Sequence, residues 1–292
     1  MFKKLIAAVT TVGALAAVLP AQADSGSFVL ERIKERGVVN MGHRESSIPF
    51  AYIGPDGKPI GYSVDICHAF IKKMEKVLKT SLKINYVPVT SQTRIALMAN
   101  GTIDIECGST TNNLTRQKQV DYLAVTFITG TKLGSKKGSG ITELEDMDGK
   151  VIALSLGTTN EKAVKRVMKA KGLKIKIVSV KDHPQAWLAV ETGRADAYAT
   201  DDVLLYGLMS KSKDPSKYQV TGRFLSYDPY GIMVPRNDST YRRLGNLMLA
   251  DMMRSGEMLK VYNKWFDPGP TNIQMPISST LKTAYEIQAL PH

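Results

Sequence analysis

The chain has 292 residues, with 39 Lys and Arg against 27 Asp and Glu, a formal net charge of +12 and two cysteines. It has no low-complexity runs or charged tails, and its length allows either one large domain or two smaller ones. The basic residues are scattered over helix-like segments such as KKMEKVLK, so we expect solvated faces and no nucleic-acid partner.

Residues 1–23 have the pattern of a secretory signal peptide. Two lysines precede an apolar stretch over 5–19, and the tripeptide AQA that follows fits the small-x-small rule of signal peptidase. A membrane anchor is the alternative, but the stretch is short for a span and no later stretch is long and apolar enough. We therefore predict cleavage after Ala23 and export of a mature chain that begins at Asp24.

The first part of the mature chain alternates helical and strand patterns. In chain order these are helix VLERIKERG, strand VVNMGHR, a turn at GPDGKP, helix SVDICHAFIKKMEKVL, strand LKINYVPV, helix SQTRIALMANG and strand TIDIECGS. A helix predicted over LTRQKQV then runs into the extended stretch DYLAVTFITGTKLGSKKG, which breaks the alternation.

A second alternating set follows this stretch. It consists of VIALS, EKAVKRVMKAKG, KIKIVSV, PQAWLAVETG, ADAYATD and a helix from Asp202. The extended segment FLSYDPYGIMVPR and the helices YRRLGNLMLADMMRSG and EMLKVYNKWF come next. This alternation predicts an α/β fold with largely parallel sheets. An extended segment lies on each side of the second set. We therefore predict that the set forms an inserted lobe and that these two segments cross between the lobes.

The two cysteines are candidates for a disulfide. Cys67 lies in the apolar face of a predicted helix, and Cys107 lies at the end of a predicted strand. Packing of the helix on the sheet could bring them together, and export places them in an oxidising compartment. Two buried free thiols are the alternative.

The tripeptide Thr-Thr-Asn occurs twice, at 110–112 and at 158–160, each time after a predicted strand and before a predicted helix. Helix N-termini offer unpaired N–H groups to anions, so both corners are candidate ligand sites. An ordinary helix cap is the alternative reading, because Thr158 with Glu161 also matches a capping box.

Several motifs together resemble one family, the periplasmic solute-binding proteins of polar amino-acid ABC transporters, and among them the glutamate/aspartate-binding proteins. The motifs are GHRESSIPFAY, GYSVDIC, PVTSQTRI, ECGSTTNNLTRQKQVDY, SLGTTNEK, SVKDH, ADAYATDD and SGEMLKVYNKWF. The resemblance covers essentially the whole mature chain.

The resemblance implies the two-lobed α/β fold of type II periplasmic binding proteins. Each lobe is expected to have a central, mainly parallel sheet flanked by helices, and two hinge strands are expected to join the lobes. The ligand would lie in the cleft and be captured by hinge closure. Lobe 1 would comprise residues 24–125 and 231–292, and lobe 2 residues 126–230, with crossings near 124–128 and 226–230.

The resemblance also implies how the α-amino acid end of a ligand is held. Arg116 and the Thr111 N–H would pair with the α-carboxylate. Asp201, the Ser109 carbonyl and the Thr111 hydroxyl would accept from the α-ammonium, and these three acceptors match its three donors.

Arg44 and Arg94 are the residues that the glutamate/aspartate subfamily adds. A planar guanidinium suits a second carboxylate, and three arginines against one aspartate sum to +2, which favours an acidic ligand over its amide. The remaining ligand neighbours implied by the resemblance are Ser91, Thr158, Thr159 and His183. His183 precedes Pro184 and could instead be a simple helix cap.

The function implied is periplasmic capture of L-glutamate or L-aspartate and delivery to the inner-membrane permease of an ABC transporter. We expect a monomer without metal or cofactor, and the preference between the two amino acids stays open. A cyclohexadienyl-dehydratase-like enzyme and an amino-acid receptor feeding a signalling partner are the alternatives. The enzyme would need a general acid, and the adjoining Glu45 and Glu106 lack the apolar setting that would raise a pKa.

Overall fold

The computed structural model describes residues 26–268 and 270–291. The predicted signal peptide and its cleavage after Ala23 lie outside these residues. The described chain forms two α/β lobes, each built around a five-stranded sheet, which confirms the predicted fold class. Among the helices of this part of the chain, none has the length and apolar character needed to span a bilayer.

Lobe 1 contains a five-stranded main sheet and a small antiparallel sheet of three short strands. Its strands are β1 (Val38–His43), β2 (Ser46–Ser47), β3 (Ala51–Ile53), β4 (Pro59–Ile60), β5 (Lys83–Pro88), β6 (Ile105–Cys107), β7 (Asp121–Thr129) and β13 (Asp228–Val234). The main sheet has the order β5-β1-β6-β13-β7. β1 runs parallel to β5 and β6, whereas β13 is antiparallel to β6 and β7, so the sheet is mixed.

The helices of lobe 1 pack their apolar faces on this sheet. They are α1 (Phe28–Arg36), α2 (Tyr62–Leu78), α3 (Arg94–Ala99), α7 (Ser239–Arg254), α8 (Glu257–Phe266) and α9 (Ser279–Gln288). The sequence of α2 explains its packing, because the apolar residues Ile66, Phe70 and Met74 recur at helical spacing and all three are fully buried.

Lobe 2 contains the second sheet, and its elements are β8 (Thr131–Lys136), β9 (Val151–Ser155), α4 (Thr159–Lys171), β10 (Lys176–Val180), α5 (His183–Glu191), β11 (Ala197–Asp201), α6 (Asp202–Met209) and β12 (Tyr218–Thr221). The strand order in this sheet is β10-β9-β11-β8-β12. β10, β9 and β11 are parallel, and β8 is antiparallel to both of its neighbours. The carboxyl end of β11 and the segment that follows β9 lie at the cleft between the lobes.

The long extended stretch predicted over 121–138 is two strands, β7 in the sheet of lobe 1 and β8 in the sheet of lobe 2, with Gly130 between them. A Cβ at Gly130 would lie 2.2 Å from the Ser226 carbonyl oxygen, so the two crossings of the chain approach too closely for any side chain. β7 and β13 pair with each other up to Thr129 and Asp228, where the chain passes between the lobes.

The helix predicted over 114–120 is wrong. The structure has only a 3₁₀ turn there, Arg116–Lys118. The apolar residue at the start of this segment is not buried, since the Leu114 side chain is 81% exposed, so helix formation here would gain little from packing. The Asn113 side chain accepts from the Arg116 N–H at 3.0 Å, and β7 begins directly afterwards. The first Thr-Thr-Asn corner therefore has no helix N-terminus behind it.

The predicted disulfide is confirmed. Cys67 of α2 and Cys107 at the end of β6 are bonded, and both residues are fully buried. The alternative of two free thiols is wrong for this structure. The bond closes a sequence separation of 40 residues and ties α2 to the strand that leads into the first Thr-Thr-Asn corner.

Removing this disulfide is expected to lower the free energy of unfolding by about 4 kcal/mol in the chain-entropy model, because the unfolded chain regains loop freedom. Urea unfolding of the double variant C67A/C107A, compared with the oxidised parent, measures the loss. The parent in the presence of reductant is the control for the added alanine cavities. Equal midpoints for the variant and the oxidised parent would contradict the prediction.

The C-terminal helix α9 packs along the edge of β7. The Gln288 side-chain amide accepts from the Val125 N–H at 2.7 Å and donates to the Val125 carbonyl at 2.9 Å. The Tyr285 hydroxyl donates to the Thr126 carbonyl at 2.8 Å. These contacts satisfy backbone groups of an edge strand that has no further strand beside it.

Candidate functional site

The cleft between the lobes contains a small polar cavity. Its lining residues are Ser91, Arg94, Ser109, Thr111, Thr158, Thr159, Asn160, His183, Asp201 and Leu204. Eight of the ten predicted ligand residues are in this set, and the other two, Arg44 and Arg116, make contacts across the cleft. Within the described ranges, no three His, Cys, Asp or Glu side chains come together as metal ligands.

The first Thr-Thr-Asn corner follows β6 and is shaped by contacts within lobe 1. A Cβ at Gly108 would lie 2.3 Å from Glu106 Oε1 and 3.0 Å from Arg44 Cγ, so any larger residue here would displace these side chains. The Thr111 hydroxyl donates to Asp228 Oδ1 at 2.9 Å and lies 3.2 Å from the Thr159 hydroxyl of lobe 2. Because its hydrogen is directed to Asp228, the Thr111 oxygen keeps lone pairs that can accept from a ligand.

The second Thr-Thr-Asn corner is both a helix cap and part of the cavity lining, so both interpretations of it apply. Thr158 is the N-cap of α4, and its hydroxyl accepts from the Glu161 N–H at 3.0 Å. Thr158 and the next residue, Thr159, also line the cavity at the first turn of the helix. A helix N-terminus carries partial positive charge, so this corner favours an anionic group in the cavity.

Asp201 ends β11 and is only 3% exposed. Its carboxylate accepts from Asn160 Nδ2 at 2.8 Å and from the Tyr230 hydroxyl. Burial, followed by the nearby Asp228 carboxylate, raises the pKa of Asp201 to about 8. A cationic group in the cavity would offset this cost and keep Asp201 ionised.

Asp228 is a site residue that the sequence interpretation missed. It begins β13, is 1% exposed, and accepts from the hydroxyls of Thr111 and Ser226. In the sequence it lies in FLSYDPYGIMVPR, which carries no ligand motif. Only its position on a crossing strand hinted that it would face the cleft.

Arg94 begins α3, lines the cavity and is 2% exposed. Its Nη1 donates to the Ser109 carbonyl at 3.2 Å and to Thr110 Oγ1 at 2.5 Å. Thr110 in turn donates to Glu106 Oε2 at 2.7 Å, which links the guanidinium to a buried carboxylate. Burial, and then the charge of Arg116, lower the pKa of Arg94 to about 10, so it remains cationic at neutral pH.

Arg116 and Arg44 connect the lobes. Arg116 donates to the Thr111 carbonyl at 2.7 Å and to the Gly157 carbonyl of lobe 2 at 3.3 Å. Arg44 donates to Ser91 Oγ at 3.0 Å and, across the cleft, to Asp182 Oδ1 at 2.6 Å.

The charge balance predicted for the site therefore needs correction. The sequence predicts three arginines and one aspartate, but the structure adds three buried or half-buried carboxylates around the site. These added carboxylates are Glu106, Asp182 and Asp228. Selectivity thus depends on which donors and acceptors face the ligand, since the net charge of the site is close to balanced.

His183 is the first residue of α5, and the helix cap is Asp182, whose Oδ1 accepts from the His183 N–H at 2.8 Å. The alternative that His183 is itself the cap is wrong. Its Nδ1 lies 2.6 Å from the Tyr198 hydroxyl, and its Nε2 has no partner among the described residues. Burial, and then Arg44, lower the pKa of His183 to about 3, so the ring is neutral in the closed cleft.

A larger groove lies elsewhere on the surface. It is formed by the end of β7, by the segment before β13, by α6 and by the segment that precedes α9, and it shares no residue with the cavity. It does not contribute to the site described above.

Two α/β lobes on paired crossing strands, closed over a cavity lined by hydroxyl, guanidinium and carboxylate groups, define a two-lobed binding protein for a small polar ligand. The chain belongs to the bacterial extracellular solute-binding proteins, family 3, whose sequence profile matches residues 39–268. This confirms the family resemblance predicted from the motifs.

Individual relatives agree with this assignment. The chain is 44% identical to the L-glutamate/L-aspartate-binding protein of Pseudomonas aeruginosa, over 90% of this chain and 89% of the relative. It is 37% identical to the glutamate/aspartate import solute-binding protein of Salmonella typhimurium, over 97% and 96% of the two chains. The solved structure of an ancestral arginine-binding protein bound to glutamine superposes with a TM-score of 0.71 at 29% identity, covering 79% of this chain and 98% of that one. The protein is a binding protein of this family, and the names of these relatives give the dehydratase alternative no support.

Proposed function

We propose that this protein captures L-glutamate or L-aspartate in the periplasm and delivers it to the inner-membrane permease of an ABC importer. The observation that carries the proposal is the cavity itself, in which the cationic Arg94 and the N-terminus of α4 accompany the carboxylate of Asp201. A zwitterion with a second carboxylate matches this combination of charges. The names of the two relatives support the same ligands, and the word import in one of them favours transport over signalling.

The α-amino acid end is assigned to the groups around Thr111. We infer that Asp201, the Ser109 carbonyl and the Thr111 hydroxyl accept from the ammonium group. The contact between Thr111 and Asp228 supports this, because it turns the hydroxyl into an acceptor. Arg116 and the Thr111 N–H would hold the α-carboxylate together. The guanidinium of Arg116 lies beside Thr111, because its Nη1 is 2.7 Å from the Thr111 carbonyl oxygen.

The side-chain carboxylate is assigned to Arg94, with Ser91, Thr158, Thr159 and His183 around it. We assign the Tyr198 hydroxyl as the donor to His183 Nδ1, because Ser155 Oγ, at 2.9 Å, can supply the hydrogen bond that Tyr198 accepts. This places the ring hydrogen of the neutral imidazole on Nε2, which then donates into the cavity. Arg44 acts from the edge of the site.

The organisation of the chain completes the proposal. Lobe 1 is residues 24–125 and 231–292, lobe 2 is residues 126–230, and the hinges lie near 124–128 and 226–230. Secretion with cleavage after Ala23 and action as a monomer belong to the same proposal. The ligand contacts both lobes and should favour the closed state by that differential contact.

Calorimetric titration with glutamate, aspartate, glutamine and asparagine, combined with small-angle scattering, tests the proposal. We expect an acidic amino acid to bind tightly and to reduce the radius of gyration at saturation. Tight binding of an amide alone, or an unchanged radius with a saturating acidic ligand, would contradict it.

The variant Gly207→Ala tests closure directly. Gly207 lies in α6, and a Cβ there would meet the Ile48 carbonyl oxygen of lobe 1 at 2.3 Å. Alanine suits a helix, so lobe 2 should fold normally and the ligand-free melting temperature should not fall. The overpacked contact is expected to weaken glutamate binding by about 1–3 kcal/mol. Wild-type affinity in this variant would show that binding does not need the closed arrangement.

A further inference from the structure

We propose that Asp182 is a positioning residue that latches the closed cleft by pairing with Arg44 across the two lobes. The inference rests on the proposed closure around a ligand, and it does not depend on which amino acid is bound.

The contacts of Asp182 come from both lobes. In lobe 2 its Oδ1 caps α5 by accepting from the His183 N–H at 2.8 Å. From lobe 1, Arg44 Nη2 donates to Oδ1 at 2.6 Å, and Ser46 Oγ donates to Oδ2 at 2.9 Å. Lobe 1 therefore holds both oxygens of a carboxylate that belongs to lobe 2.

The burial of Arg44 explains why this pair matters. The Arg44 side chain is 1% exposed and the Asp182 side chain 23%. Within lobe 1, the hydroxyl of Ser91 is the side-chain partner of the guanidinium among the described residues, and it carries no charge. A buried guanidinium without an opposite charge is costly, so closing the cleft requires Asp182 to arrive at Arg44. When the lobes separate, both groups can return to water.

The Arg44–Asp182 pair also positions neighbouring residues that line the cavity. Asp182 and His183 are adjacent, so the contact that anchors Asp182 also fixes the first turn of α5 and the imidazole against the cavity. On the lobe 1 side, Arg44 Nη1 holds Ser91, which lines the cavity. The latch thus connects two cavity-lining residues from opposite lobes without lining the cavity itself.

The test uses Asp182→Asn, because asparagine keeps a good helix cap while it removes the charge. In stopped-flow experiments with whichever of glutamate, aspartate, glutamine and asparagine binds the parent most tightly, we expect dissociation to be faster by about tenfold or more. Both the acid and its amide should be weakened by a similar factor, because the latch acts on closure. A dissociation rate within twofold of the parent would overturn the proposal.

Two further variants separate the latch from simpler roles. If Asp182 were only a helix cap, Asp182→Ala would lower the melting temperature while Asp182→Asn changed neither stability nor dissociation, and the proposal would fail. In a double-mutant cycle with Arg44→Met, the latch predicts that the double variant loses little more affinity than either single variant. Additive losses would show that Arg44 and Asp182 act separately and would also overturn it. If none of the four amino acids bound the parent, the proposed function would fail on its own, independently of the latch.

Discussion

Replacing Arg94 by methionine is expected to remove most of the preference for an acidic amino acid over its amide. In the parent we expect glutamate or aspartate to bind at least about a thousandfold more tightly than glutamine or asparagine. The reason is that Arg94 and His183 Nε2 present only donors, against which an amide must turn its own NH₂ group. The variant should lose affinity for the acid chiefly, since the groups around Thr111 remain in place.

The design of this experiment must account for Glu106. Arg94 is linked to this buried carboxylate through Thr110, so methionine alone would take away the guanidinium that this link brings to Glu106. The pair Arg94→Met with Glu106→Gln removes both charges, and Glu106→Gln alone is the matched control. Paired calorimetric titrations of acid and amide measure the ratio in each protein. Comparable affinity for acid and amide in the parent would rule out Arg94 as the selectivity residue.

Replacing Asp201 by alanine is expected to weaken every α-amino acid ligand by about 3–5 kcal/mol, because the ligand ammonium is left without its charge partner in a closed cleft. Asp201→Asn keeps the shape of the side chain and should lose a similar amount, which separates charge from packing. Calorimetry with glutamate and glutamine on both variants provides the measurement. Affinity within tenfold of the parent would remove Asp201 from the site.

The raised pKa of Asp201 predicts how a ligand without an amino group behaves. Glutarate offers no cation, so closing the cleft over it leaves Asp201 with the pKa of about 8 that burial and Asp228 impose. In the open cleft the pKa returns towards about 3.9, and closure then requires uptake of a proton. The other groups facing Asp201, which are Tyr230, Asn160 and Asp202, add no positive charge.

Proton uptake on closure determines the pH range in which glutarate binds. Since the closed state binds the extra proton, closure over glutarate is favoured at low pH and lost as pH rises towards 8. Burial lowers the pKa of His183 to about 3 in the closed cleft, so around its ordinary pKa of about 6.5 this ring opposes the trend, and well above that value it is neutral in both states. Between about pH 7 and pH 8 the affinity for glutarate should therefore fall severalfold, by less than tenfold per pH unit, whereas the affinity for glutamate should stay level. A glutarate affinity independent of pH, or a slope that persists in Asp201→Asn, would contradict this assignment.

Much of the molecule was determined by patterns within short stretches of sequence. The alternation of strand and helix periods specified two α/β units, because burying one face of a strand or helix imposes a period of residue types that is visible locally. Cys67 and Cys107 could be paired, since each lay on a predicted buried face. The clusters of hydroxyl residues at strand ends indicated where a ligand would meet the backbone, and eight predicted residues do line the cavity.

The tertiary structure alone decided the electrostatics of the site. Arg44 meets Asp182 across 138 positions of sequence, and Thr111 meets Asp228 across 117. These contacts arise from how the lobes close and how β13 lies beside β6. Neither arrangement produces a periodic pattern of residue types in the sequence. The 3₁₀ turn at Arg116–Lys118 is a related case, in which the start of β7 ended a segment with acceptable helix residues. Charge pairs between distant elements depend on distances of a few ångströms, and only the packing of the elements sets those distances.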